Sequence, residues 1–225
     1  MDPAAEIEEE QRIRMSEIVF LENICTQLPV DEQNRFRRAM VVILYAHFEG
    51  FAKFSFELYR RSIEGSNLKC CEVQPSLATG ALRDLFKAFR NPDTGLNLLP
   101  PAMRSAVELR PLAIERAFAE KAWDFGQRTA VVPDNFIDME SNLKPAVMRK
   151  NLYRLGLPHD LFDSLEGSIN KLLNFRNNIA HGNIVAGVDE SDYADLREAV
   201  LKIMSELKTT LLNAITTEAF RLRVI

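Results

Sequence analysis

Between Pro29 and Gly65-Ser66-Asn67 the sequence reads as one helix of about nine turns, over residues 32–64. A chain that commits this much length to a single helix has to build its core from helices. Pro29 ends the helix before it, and Asp31 is placed to cap its first turn. From Ala39 to Phe48 it is apolar nearly all round, so its middle is expected to be buried. Three more long helices follow from the same 3.6-residue period. One covers about 5–28, with Ile13, Ile18, Leu21, Ile24 and Leu28 on or near one side. A second covers about 159–181, and a third about 190–221, striped by Leu196, Val200, Ile203, Leu207, Leu211 and Ile215. Shorter pieces lie between: helices near 79–90, 103–121 and 145–155, and an irregular stretch, 123–142, in which Thr129 to Val132 suits an extended segment. The expected fold is all-α, a bundle on four long helices. Residues 66–158 form inserted short helices and loops, residues 1–10 an acidic extension, and 1–225 a single domain.

At 47% hydrophobic and 27% charged, the composition is that of a soluble globular protein. No uncharged apolar run approaches bilayer length, so no membrane partner is expected. The acidic start lacks a signal peptide's basic and apolar regions, and a cytoplasmic location follows by default. Cys25, Cys70 and Cys71 match neither a disulfide framework nor a zinc pattern, so no structural metal is expected. The net charge of −4 does not advertise nucleic-acid binding. However, five of the 32 acids fall in the first ten residues, leaving 27 against 28 bases. Bases cluster at Arg35, Arg37 and Arg38, at Arg60 and Arg61, and at Lys144, Arg149, Lys150 and Arg154. These are either ordinary solvated helix faces or local patches able to meet a nucleic acid.

The residues richest in chemistry are Asn174-Phe175-Arg176-Asn177-Asn178-Ile179-Ala180-His181-Gly182-Asn183. On a helical wheel Leu161, Leu165, Leu172 and Ile179 fall within about 40° of one another, Ile169, Leu173 and Ala180 widen the stripe, and Arg176 falls inside it. A guanidinium there needs an anionic partner, either a buried carboxylate or a phosphate in a cleft. His181 lies where Gly182 stops the helix, and the helix dipole favours positive charge at that end. Alone it could be a simple cap. Asn177, one turn earlier on nearly the same side, could fix the imidazole or bind a phosphate oxygen. On the long second helix Glu49 interrupts an apolar stretch and shares an i,i+4 ladder with Tyr45 and Lys53. It either pairs with Lys53 at the surface or faces Arg176 or His181. His47 points to the Ile43–Phe51 side and reads as a core histidine.

Arg176-Asn177-Asn178-Ile179-Ala180-His181 resembles the Arg, polar residue, three variable residues, His motif of HEPN domains. Tyr45-Ala46-His47-Phe48-Glu49-Gly50-Phe51-Ala52-Lys53, and the segment from Ser141-Asn142-Leu143 to Leu155-Gly156-Leu157, look like parts of a bacterial HEPN subgroup tied to host defence and toxin–antitoxin loci. The resemblance spans about residues 10–215. It implies a metal-independent endoribonuclease that needs no cofactor, with Arg176, Asn177, His181 and Glu49 as site residues. It also implies a homodimer whose motifs face one RNA-binding cleft, and an antitoxin or defence-system partner. In such a site a histidine takes the proton of the RNA 2′-hydroxyl, and the attack leaves a 2′,3′-cyclic phosphate. Where many members carry an aromatic residue two positions after the histidine, this chain has Asn183. The rival readings are an RNA- or nucleotide-binding module without turnover, and a pure protein-interaction module.

Overall fold

A computed structural model describes residues 2–91, 98–183 and 186–222. Among the described residues eight α-helices follow one another: α1 (Pro3–Gln27), α2 (Val30–Gly65), α3 (Pro75–Ala78), α4 (Arg83–Arg90), α5 (Arg110–Ala122), α6 (Pro145–Arg154), α7 (Glu166–Ala180) and α8 (Glu190–Thr216). No strand occurs among the described residues, so the expected all-α class holds. The chain forms two compact units. The first contains residues 1–62 and 137–218, and the second 63–136 and 219–225. The stretch expected as an insertion, 66–158, is thus divided: residues 137–158, with α6, belong to the first unit.

In the first unit α1 packs on α8, α8 on α7, and α7 on α6. The core face of α2 carries Met40, Val41, Leu44, Tyr45, Phe48, Phe51, Ala52, Phe56 and Tyr59, all at most 2% exposed. By length and mean hydropathy α2 could cross a bilayer, which counting uncharged runs did not anticipate. More than half of its most apolar stretch is buried inside the protein, as in a core helix. The α1 face differs from the expected one. Its buried residues are Ile7, Ile18 and Cys25, spaced eleven and seven apart and therefore aligned, whereas Ile13 is 48% exposed. The acidic start is the first turns of α1: Asp2 caps it by accepting from the Ala4 N–H at 3.1 Å, and Glu6 pairs with Arg61 of α2 at 2.9 Å.

The helix expected at 159–181 begins only at Glu166. Before it, i→i+3 bonds from the Asp163 N–H to Asp160 and from the Leu165 N–H to Phe162 tighten the chain into a 3-10 turn. Arg149 of α6 donates to both Asp163 and Glu166 and fixes that turn in place. Leu161 therefore lies outside the helical stripe. The helix expected near 103–121 likewise starts at Arg110, after two short 3-10 turns. In the second unit, Leu82 and Ala117 form a small apolar cluster with Phe86, Phe118 and Phe125. The extended segment expected near Thr129 shrinks to an isolated antiparallel bridge between Lys69 and Thr129.

His47 is buried between α1 and α2, as expected, but not satisfied there. Its Nε2 has no hydrogen-bond partner, and the Glu17 carboxylate lies 3.4 Å away. Burial holds its pKa below the ordinary histidine value; Arg14 adds to this, while Glu17 and Glu10 oppose it. The folded state thus favours neutral His47, and the unfolded chain takes up the proton first as pH falls. Stability is therefore expected to be full above pH about 6.5 and to decline as pH drops through that value. His47→Gln should flatten this part of the profile in denaturant titrations at pH 8 and 5.5. An identical drop in both proteins would rule the assignment out.

Candidate functional site

The site begins with a buried asparagine. Asn151, fully buried on α6, uses both ends of its amide on one residue: it donates to the Asp138 carbonyl at 3.0 Å and accepts the Asp138 N–H at 3.1 Å. That bond pair fastens the incoming chain alongside α6. Lys144 is extended and Pro145 takes the first helical turn, where its missing N–H costs nothing. The backbone N–H of Leu143 is thereby turned inward, and it donates to the Tyr45 hydroxyl of α2 at 2.9 Å. Both residues are buried.

The C-terminal end of α7 closes in a Schellman arrangement. The Gly182 N–H donates to Ile179 at 3.1 Å, and the Asn183 N–H to Asn178 at 2.8 Å. Gly182 sits at φ 73°, a left-handed conformation that disfavours a side chain. Asn183 completes the motif, and its amide also donates to the Asn178 side chain at 3.3 Å. Position 183 thus serves the helix end. His181 is the C-cap, its N–H donating to Asn177 at 2.9 Å and its side chain exposed.

Arg176 lies half-buried one and a half turns before that end. Its Nη1 donates to the Asn177 Oδ1 at 2.8 Å, and its guanidinium carbon stands 4.7 Å from the centroid of the Tyr45 ring. Among the described residues no carboxylate pairs with it. Of the two partners expected for this cation, the buried carboxylate is not the one found. The Asn177 side-chain oxygen serves the arginine and does not fix the imidazole. Glu49, half-buried one turn along α2 from Tyr45, pairs with neither Lys53 nor Arg176. It acts on the Tyr45 phenol. Burial raises that group's pKa most; Glu49 raises it further by its charge and by hydrogen bonding, while the Leu143 N–H and Arg176 pull it down. Arg176, Asn177 and Tyr45 therefore form one cluster, with Glu49 one turn along α2 from Tyr45, while His181 lies five residues beyond Arg176 in the chain with its side chain exposed.

The chain leaving α7 is pinned to α2. The Val188 N–H donates to the Asn34 carbonyl at 2.9 Å, and Arg37 holds Glu190 at 3.0 Å. Gly187 makes this approach feasible, since a Cβ there would lie 2.4 Å from that of Asn34. Residues 184 and 185 lie outside the described chain. Sequence reasoning missed the parts played by Asn151, Leu143 and Gly187. A polar amide on the apolar face of α6 was the one available signal among them.

The sequence matches the family described as RiboL-PSP-HEPN over residues 9–213, which takes in α2 and α7 whole, most of α1 and α8, and every site residue named above. No curated protein and no solved structure matches the chain.

Proposed function

The chain belongs to the RiboL-PSP-HEPN family, a HEPN family that points to a nuclease or RNA-related role, and from that premise we propose that it is a metal-independent endoribonuclease. The observation that carries the reading is Arg176: a half-buried cation, held by an amide oxygen and an aromatic face, with no carboxylate among the described residues to neutralise it. A phosphodiester supplies the missing anion, and the planar fork suits it.

In the proposed reaction His181 takes the proton of the 2′-hydroxyl, and the 2′-oxygen bonds to phosphorus. The bond from phosphorus to the 5′-oxygen breaks, and an acid returns a proton to that oxygen. The products are a 2′,3′-cyclic phosphate and a 5′-hydroxyl. Arg176 stabilises the charge gathering on the phosphoryl oxygens, and the free amide N–H of Asn177 serves one of them. Glu49 contributes its negative charge near the Tyr45 phenol. One chain offers one exposed histidine here, whereas the reaction uses both a base and an acid. A two-fold homodimer that brings two Arg176–His181 sets to one cleft provides both. We place the protein in the cytoplasm as a toxin or antiviral defence effector, restrained or triggered by a partner protein.

Purified protein in EDTA is expected to cut RNA and to leave DNA of the same sequence intact, since DNA lacks the nucleophile. RNA bound but never cut would support the rival reading, a binding module without turnover. That reading is favoured by Asn183, whose side chain is spent on the helix end.

A further inference from the structure

Tyr45 is not explained by the reaction above, nor does a core residue need its surroundings. It is 2% exposed, its hydroxyl is anchored by the Leu143 N–H, and its ring is steadied edge-on by Phe48 at 6.1 Å between centroids. The face left over is the one on which Arg176 rests. A ring face attracts a cation through its quadrupole and carries no net charge of its own. A carboxylate in the same place would hold the guanidinium equally well but would cancel its charge and compete with any phosphate. The Asn177 amide oxygen likewise holds without neutralising. Both supports of Arg176 are therefore of the kind that fixes a cation and leaves its charge available.

We propose that Tyr45 is a positioning residue: its ring holds the Arg176 guanidinium, still fully charged, at the height where a phosphate oxygen of the RNA binds. The inference rests on the ribonuclease reading for its substrate, although the geometry it invokes is independent of turnover. The anchoring runs from Asn151 to the Asp138–Leu143 segment, from Leu143 to the phenol, and from the ring to the arginine.

A merely structural Tyr45 and a positioning one separate as follows. Tyr45→Leu keeps an apolar side chain of similar bulk but removes the ring face. Tyr45→Phe keeps the face and removes the oxygen that accepts the Leu143 N–H. Two readouts are taken on each variant: cleavage of RNA, as kcat and KM, and affinity for a 2′-O-methyl RNA oligonucleotide that cannot be cut. Tyr45→Leu is expected to weaken oligonucleotide binding and lower kcat by about tenfold, between the scales of an exposed and a desolvated cation–π contact. Tyr45→Phe should recover most of both losses, although it too lowers the melting temperature through the orphaned N–H. Adding Tyr45→Leu to Arg176→Ala should cost nothing further, because the ring acts only through the arginine. Equal losses for Phe and Leu, or full additivity with Arg176→Ala, would overturn the proposal, as would wild-type protein that does not bind the oligonucleotide. Wild-type protein that binds but does not cut refutes the ribonuclease reading alone, and the affinity arm still decides Tyr45.

Discussion

His181→Ala is expected to lower RNA cleavage by about two to four orders of magnitude, the range for removing a positioned general base. The fold should be untouched. The imidazole is exposed, and the helix end is closed by backbone bonds of Gly182 and Asn183 that do not involve the His181 side chain. Melting temperature should therefore stay near wild type while activity collapses, a separation that a capping histidine would not give. The loss should appear in kcat, since the proton transfer belongs to the reaction step rather than to RNA binding. Wild-type rates in His181→Ala would leave the residue as a helix cap and nothing more.

Arg176→Ala carries the second large effect. Removing a donor aimed at a developing oxyanion costs about 100- to 1,000-fold in kcat. Arg176 also sits half-buried with the Tyr45 face and Asn177 amide as partners, so some RNA affinity should go with it. The loss of affinity should shrink as salt rises, because a phosphate contact is lost. Arg176→Lys keeps the charge but loses the planar fork and the ring stacking, and should fall between the two. The measurement is steady-state cleavage of one RNA at two salt concentrations. Equal activity in wild type and Arg176→Ala would return the residue to a structural role.

Much of this arrangement was legible in the sequence. The α2 and α8 helices follow from apolar period alone, and the need of Arg176 for a partner follows from its place in an apolar stripe. Other features depend on long-range contacts that periodicity does not carry. Leu161 continues the α7 pattern on the wheel, but Arg149 of α6 holds Asp163 and Glu166 and so sets where the helix starts. Ile13 matches the α1 wheel yet is exposed, because the buried face is the one through Ile7, Ile18 and Cys25. The partner of Arg176 is an aromatic ring from α2, far away in sequence, rather than the carboxylate one turn beyond it. Tyr45 shares the ladder with Glu49 in the sequence, but only packing shows that the ring reaches the arginine.

In the proposed reaction a 2′-hydroxyl activated by His181 attacks a phosphate whose developing charge Arg176 stabilises, and the RNA chain is cut without a metal. Mapping the ends of RNA incubated with the purified protein in EDTA tests it most directly. The account predicts 2′,3′-cyclic phosphate and 5′-hydroxyl ends, absent with His181→Ala. Fragments bearing 5′-phosphate ends, or RNA left whole by protein that is folded and dimeric, would contradict it.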